Sequence, residues 1–136
     1  MRTDASLAKT LQQQRSPRLF WAAALLSIAT MPAQADGDPA RGKVVFARCA
    51  ACHSLDGKNR IGPPLNGVVG RAAGSVAGAR YSSAMNDNHA VWDEQALDGY
   101  LAAPAKFLPG TTMTVSLPQA RDRADLIAYL KTLQSD

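Results

Sequence analysis

Apolar positions fall into helical stripes before the cysteines and at the far end of the chain, with a shorter one ahead of the latter, and into no stripe over residues 54–91. In "DPARGKVVFARCA", Gly42, Val45, Phe46 and Cys49 recur at i, i+3, i+4 and i+7, which is one face of an α-helix. Asp38 stands before it as N-cap, and Pro39 takes the first helical position, where a missing N–H is harmless. "RADLIAYLKTL" repeats the spacing with Leu126, Tyr129, Leu130 and Leu133. The two stripes are expected to pack on each other. Glycine within a helix costs about 0.8–1 kcal/mol relative to alanine, so Gly42 on the buried stripe predicts that another backbone comes close there. A shorter helix is predicted in "WDEQALDGYLAAP", with Asp93 as cap, Leu97, Tyr100 and Leu101 inward, and a stop before Pro104.

From Ser54 to about Val91 neither the helical nor the strand period appears. This stretch is rich in Gly, Pro, Asn and Ser, with glycines at 57, 62, 67, 70, 74 and 78. So long a loop is unusual in a compact domain unless something other than protein fills its middle.

The first thirty-five residues have a different character. Arg15 and Arg18 precede the uncharged run "LFWAAALLSIATM", then come "PAQA" and an acidic "DGD", the order of a secretory signal. The expectation is a signal peptide at 1–35, cleaved after Ala35, and a single domain at 36–136. An uncleaved N-terminal membrane anchor is the alternative, but a thirteen-residue apolar core falls short of the ~20 that span a bilayer. The segment also dominates the charge. It holds four of the fifteen Lys/Arg and one of the eleven Asp/Glu, which leaves eleven against ten in the remainder. The mature chain is near neutral, with no basic patch of the kind nucleic acid requires. About a hundred residues bury only a modest share of their surface, and export implies an oxidising compartment.

Both cysteines of the chain lie in "CAACH", residues 49–53. A redox dithiol would use this C-x-x-C at a strand-to-helix turn, and no strand pattern is present. A structural zinc site needs four ligands, and outside the motif only His89 is left to add one. A short disulfide loop is the plain alternative in an exported protein. Covalent haem attachment has C-x-x-C-H as its signature: thiols three residues apart on one turn can add to two vinyl groups on one porphyrin edge, while His53 turns its imidazole to the iron. Export, the shortage of core and the oversized loop all favour this last reading.

A second axial ligand would come from Met85, Met113 or His89. By itself a lone methionine is most often core filler, and His89 in polar "NDNHAVW" suits a solvated loop. Met113 lies in the irregular segment "FLPGTTMTV", from which a flexible thioether could reach the opposite haem face. Methionine ligation raises the reduction potential relative to two histidines and closes the site to oxygen or peroxide.

Taken together, "GDPARGKVVFARCAACH", "IGPPLNGVVGR", "YSSAM", "VWDEQALDGYL", "PAKFLPGTTM" and "RADLIAYLK", in this order, resemble the soluble class I c-type cytochromes over essentially all of 36–136. The resemblance implies an all-α, cytochrome c-like domain of three to five helices around one haem c, attached through Cys49 and Cys52. It implies His53 and Met113 as iron ligands and the Pro63 carbonyl as acceptor from the His53 imidazole. Tyr100 would stand beside the Met113 sulfur, and Arg71, Tyr81, Trp92 and Thr111 around the haem propionates. Gly42, Phe46, Leu126 and Tyr129 match the contact between the terminal helices. The lysines usual around the exposed haem edge are thinned, with Ala105 and Thr112 in two such places, while Arg48 and Lys106 keep a charge. Val115 stands where the mitochondrial proteins have an aromatic residue.

The expected function is that of a monomeric periplasmic one-electron carrier and not an enzyme. Its partners would be redox proteins, such as membrane oxidase or reductase complexes or a periplasmic dehydrogenase. A dedicated acceptor for one dehydrogenase is a narrower alternative, and a ligand-binding or peroxidatic haem protein a more distant one.

Overall fold

A computed structural model of the protein describes residues 36–134. The expected signal peptide lies outside the described residues. Among the described residues there are five α-helices: α1 (Pro39–Val45), α2 (Ser83–Asn86), α3 (Glu94–Ala102), α4 (Pro104–Phe107) and α5 (Ala120–Lys131). Among the described residues the only β-pairing is an isolated antiparallel bridge between Ala72 and Val91.

Helix α1 begins where the sequence places it. The Asp38 carboxylate accepts the N–H groups of Ala40 and Arg41 at 2.8 and 3.3 Å, so two donors that lack helical partners are satisfied. The helix does not run through to Cys49 as the stripe predicts. It stops at Val45 and tightens into a 3₁₀ turn over Phe46–Arg48, closed by the bond from Cys49 N–H to the Phe46 carbonyl at 2.8 Å. A 3₁₀ turn winds three residues per turn in place of 3.6, which redirects the chain just before the cysteine motif.

The terminal helices α1 and α5 pack on each other as expected. Gly42 is buried at the crossing, where a Cβ would overlap the Asp125 carbonyl oxygen and meet the Tyr129 Cβ at 2.7 Å. Close approach is therefore the reason for this glycine. The rings of Phe46 and Tyr129 lie 6.0 Å apart beside it, a separation typical of attractive aromatic pairs. Leu126 and Leu130 are buried, whereas Tyr129 and Leu133 are only partly so.

Helix α3 is capped by Asp93, which accepts the Ala96 N–H at 2.7 Å, and it buries Leu97, Tyr100 and Leu101. Pro104 ends it and opens α4. The Leu117 N–H then bonds the Leu101 carbonyl at 2.7 Å, tying the segment before α5 back to α3.

The long segment 54–91 is irregular apart from α2. Five of its six glycines (57, 67, 70, 74 and 78) have positive φ, a region closed to most side chains. These turns let the segment double back repeatedly. Its end is pinned by Trp92 N–H to the Arg71 carbonyl at 2.8 Å and Gly70 N–H to the Trp92 carbonyl at 2.9 Å.

Candidate haem site

The 3₁₀ turn delivers Cys49 onto a second turn. Both the Cys52 and the His53 N–H groups bond the Cys49 carbonyl, at 3.0 and 2.9 Å, so the three side chains of the motif emerge from one tight coil. Cys49 is buried, Cys52 half-buried, and the two thiols are not joined. Burial pushes the Cys49 thiol above its ordinary range, which keeps it protonated at neutral pH.

All three line a cavity of about 330 Å³. The other seven residues singled out in the sequence line it as well: Pro63, Arg71, Tyr81, Trp92, Tyr100, Thr111 and Met113. His89 is exposed and is not part of this wall. The rest of the lining is largely aliphatic, drawn from the loop (Leu65, Val68), α3 (Leu97, Leu101) and α5 (Leu126, Leu130).

His53 Nδ1 lies 2.7 Å from the Pro63 carbonyl oxygen. A carbonyl only accepts, so Nδ1 carries the proton and Nε2 keeps its lone pair for a metal. Burial holds the imidazole below its ordinary range against the opposing pull of that hydrogen bond. Gly62 shapes the same corner: a Cβ there would overlap the His53 ring. In the sequence Gly62 is one of several loop glycines, with no site role legible. The "GP" dipeptide was the available signal, but only the fold reveals the ring packed against it.

Arg71 is half-buried, and burial pulls its guanidinium below the ordinary range. It donates to the carbonyls of Pro64 at 2.8 Å and Asn66 at 3.1 Å, bracing the loop that carries Pro63. Tyr81 accepts the Val76 N–H at 3.3 Å. Trp92 is buried with its ring 4.9 Å from that of Tyr100.

Thr111, grouped with Arg71, Tyr81 and Trp92 by the resemblance, is hydrogen-bonded to Tyr100 and Met113. Its hydroxyl lies 2.6 Å from the Tyr100 hydroxyl and accepts the Met113 N–H at 3.3 Å. Burial pushes the Tyr100 phenol above its ordinary range, opposed by its bond to Thr111. Met85, one of the three candidate ligands, is buried in the wall too, whereas Met113 is partly exposed.

The donor set suits a haem. An imidazole with a free Nε2, thioether sulfur and two thiols share one apolar cavity, and no Asp or Glu lines it. A zinc site has no such support: among the described residues no group of three or more His, Cys, Asp or Glu is placed to hold a metal ion.

Comparison with known proteins agrees. The family model described as "Cytochrome c" matches residues 39–134. A "Cytochrome c-type cyt cy" of Rhodobacter capsulatus is 50% identical over 104 residues, which cover 75% of this chain and 52% of that protein. The chain thus spans about half the length of that relative. Cytochrome c2 of Rhodoblastus acidophilus is 45% identical over 103 residues, 74% of this chain and 96% of that one. Among solved structures, cytochrome cH from Methylobacterium extorquens superposes with a TM-score of 0.68 at 43% identity, covering 71% of this chain and 99% of that chain. The chain belongs to the cytochrome c family of electron carriers, which bind haem c covalently, and Cys49 and Cys52 supply the pair of thiols.

Proposed function

We propose that this protein is a periplasmic one-electron carrier in which His53 and Met113 are the axial iron ligands. The observation that carries the reading is that the His53 imidazole and the Met113 thioether line the same cavity as the two motif cysteines. A bound haem would supply a one-electron ferric/ferrous couple.

The chain's own residues would do the rest. The Pro63 carbonyl fixes the imidazole tautomer and raises its basicity as a ligand. Thr111 anchors the Met113 backbone, and Tyr100 anchors Thr111. Apolar walls from the loop, α3 and α5 exclude water and disfavour the more highly charged ferric form, which raises the potential. No substrate bond is made or broken. Donor and acceptor are redox proteins, a membrane oxidase or reductase complex or a periplasmic dehydrogenase, docking briefly where the cavity opens. The leader at 1–35 is read as the export signal, cleaved after Ala35.

Optical spectra of the oxidised and reduced protein test the ligands. The oxidised form is expected to show a weak sulfur-to-iron band toward the red, lost in Met113→Ala. A high-spin spectrum in the unaltered protein would overturn the reading and favour a ligand-binding haem protein.

A further inference from the structure

The stretch that joins Met113 to α5 is held from outside the cavity, above all by one side chain. Arg123, one turn into α5, directs its Nη1 at two consecutive carbonyls, Leu117 at 3.0 Å and Pro118 at 2.9 Å. Its Nε and Nη2 donate to the Asp98 carboxylate on α3 at 2.7 and 3.4 Å. The Arg123 side chain is only 12% exposed. A guanidinium so far withdrawn from water needs both the balancing carboxylate and the acceptors around it, and it is thereby fixed in one geometry. Neither Arg123 nor Asp98 lines the cavity.

The other restraints on this stretch converge on the same turn of α3. Leu117, fully buried, donates its N–H to the Leu101 carbonyl at 2.7 Å. On the upstream side the Tyr100 hydroxyl meets Thr111, which accepts the Met113 N–H. Residues 98, 100 and 101 thus grip the chain on both sides of Met113. A thioether is a neutral and weak acceptor, so its retention as a ligand depends on how well the backbone that presents it is held in advance.

We propose that Arg123 is a positioning residue for the Met113 ligand: it closes the downstream end of the methionine segment onto α3 and so resists displacement of the thioether by an outside ligand. The proposal rests on the reading of Met113 as an axial ligand. The arrangement calls for arginine, because its planar fork serves a carboxylate and a pair of carbonyls at once, which the point charge of a lysine does not.

The test titrates imidazole into the oxidised, haem-loaded protein, where it competes with Met113 and abolishes the red-end sulfur-to-iron band. Arg123→Gln should bind imidazole about tenfold more tightly than the parent, the effect of losing hydrogen bonds from a charged donor. Arg123→Lys should recover part of the difference. Asp98→Asn, which keeps the arginine and its carbonyl bonds, should shift binding the same way by less, and it carries the test should Arg123→Gln not fold. Two controls separate positioning from mere stability. Lys131→Gln breaks the other ion pair between α5 and α3, to Glu94 at 2.6 Å, and Gly42→Ala strains the contact between α1 and α5. Both should bind imidazole as the parent does. Arg123→Gln with the parent's affinity, or Gly42→Ala with an equal gain, would overturn the proposal. A parent that lacks the band, or a Met113→Ala variant that keeps it, rejects the ligand reading and the proposal together. A normal parent band with Arg123 and Asp98 variants that match Lys131→Gln rejects the role of Arg123 alone.

Discussion

The backbone N–H of Asp38, at the threshold of α1, donates to the Asp125 carboxylate within α5 at 2.7 Å across 87 positions of sequence. The same carboxylate receives Arg41 Nε at 2.8 Å and Arg121 Nε at 3.3 Å, with its side chain only 3% exposed. A buried charge survives only when paired and hydrogen-bonded. Here it links the two helices whose backbones meet at Gly42.

These donors, the Arg41 hydrogen bond foremost, lower the Asp125 pKa from 3.8 to about 2. The unfolded chain therefore binds this proton at a higher pH than the folded one. The stabilisation is complete above pH ~4 and disappears as pH falls from ~4 toward ~2. Denaturant unfolding measured from pH 5 to pH 2 should show this slope in the parent protein. Asp125→Asn should be less stable at pH 7 and should flatten it.

Gly42→Ala sets two effects against each other. Helix propensity favours alanine by about 0.8–1 kcal/mol, but overpacking a closed interface costs about 1–3 kcal/mol. The overlap here is with backbone, the Asp125 carbonyl, so the second effect should win. A Tm lower by several degrees is expected, at about 4–8 °C per kcal/mol for a domain of this size. Val44→Ala, at a position 74% exposed on the same helix, should leave Tm nearly unchanged.

Tyr100→Phe removes the hydroxyl 2.6 Å from Thr111. Loss of such a bond costs about 0.5–1.5 kcal/mol. The red-end sulfur-to-iron band should persist in the variant but fade at a lower temperature than in the parent. In the parent, the phenolate absorbance of Tyr100 should emerge above the ordinary tyrosine range, because burial disfavours its charged form.

Charge steering should be weak. Residues 36–136 carry eleven Lys/Arg against ten Asp/Glu, and Arg48 beside the cavity is already near Asp122. Steered encounters slow as salt rises. Turnover with a purified oxidase, followed against ionic strength, should therefore fall gently compared with a lysine-rich carrier.

Much of this was legible in the sequence because it depends on local spacing. The α5 stripe, the Asp93 cap and the stop before Pro104 are set by neighbours within one or two turns. CAACH narrows its chemistry by the separation of its thiols and the adjacent imidazole, and the missing strand pattern and oversized loop favour haem among the readings left. Other features depended on contacts that no local pattern encodes. Asp125 lies between Ala124 and Leu126 and reads as a solvent-facing acid until Arg41 and the Asp38 N–H arrive from the far end of the chain. The early end of α1 at Val45 reflects the turn needed to deliver Cys49, not helix propensity. Gly62, Leu65 and Val68 join the cavity only once the loop has folded back, and the carbonyl partners of Arg71 belong to that same folding.

The meeting of Gly42 with α5 also bears on the order of events while the protein is being made. The cysteine motif leaves the ribosome long before the helix that must close over Gly42, so a nascent chain carries its attachment site in an open form. Pairing so distant in sequence is slow to establish. Helix α5 also supplies Leu126 and Leu130 to the cavity, so the wall is complete only after the last helix has docked on α1.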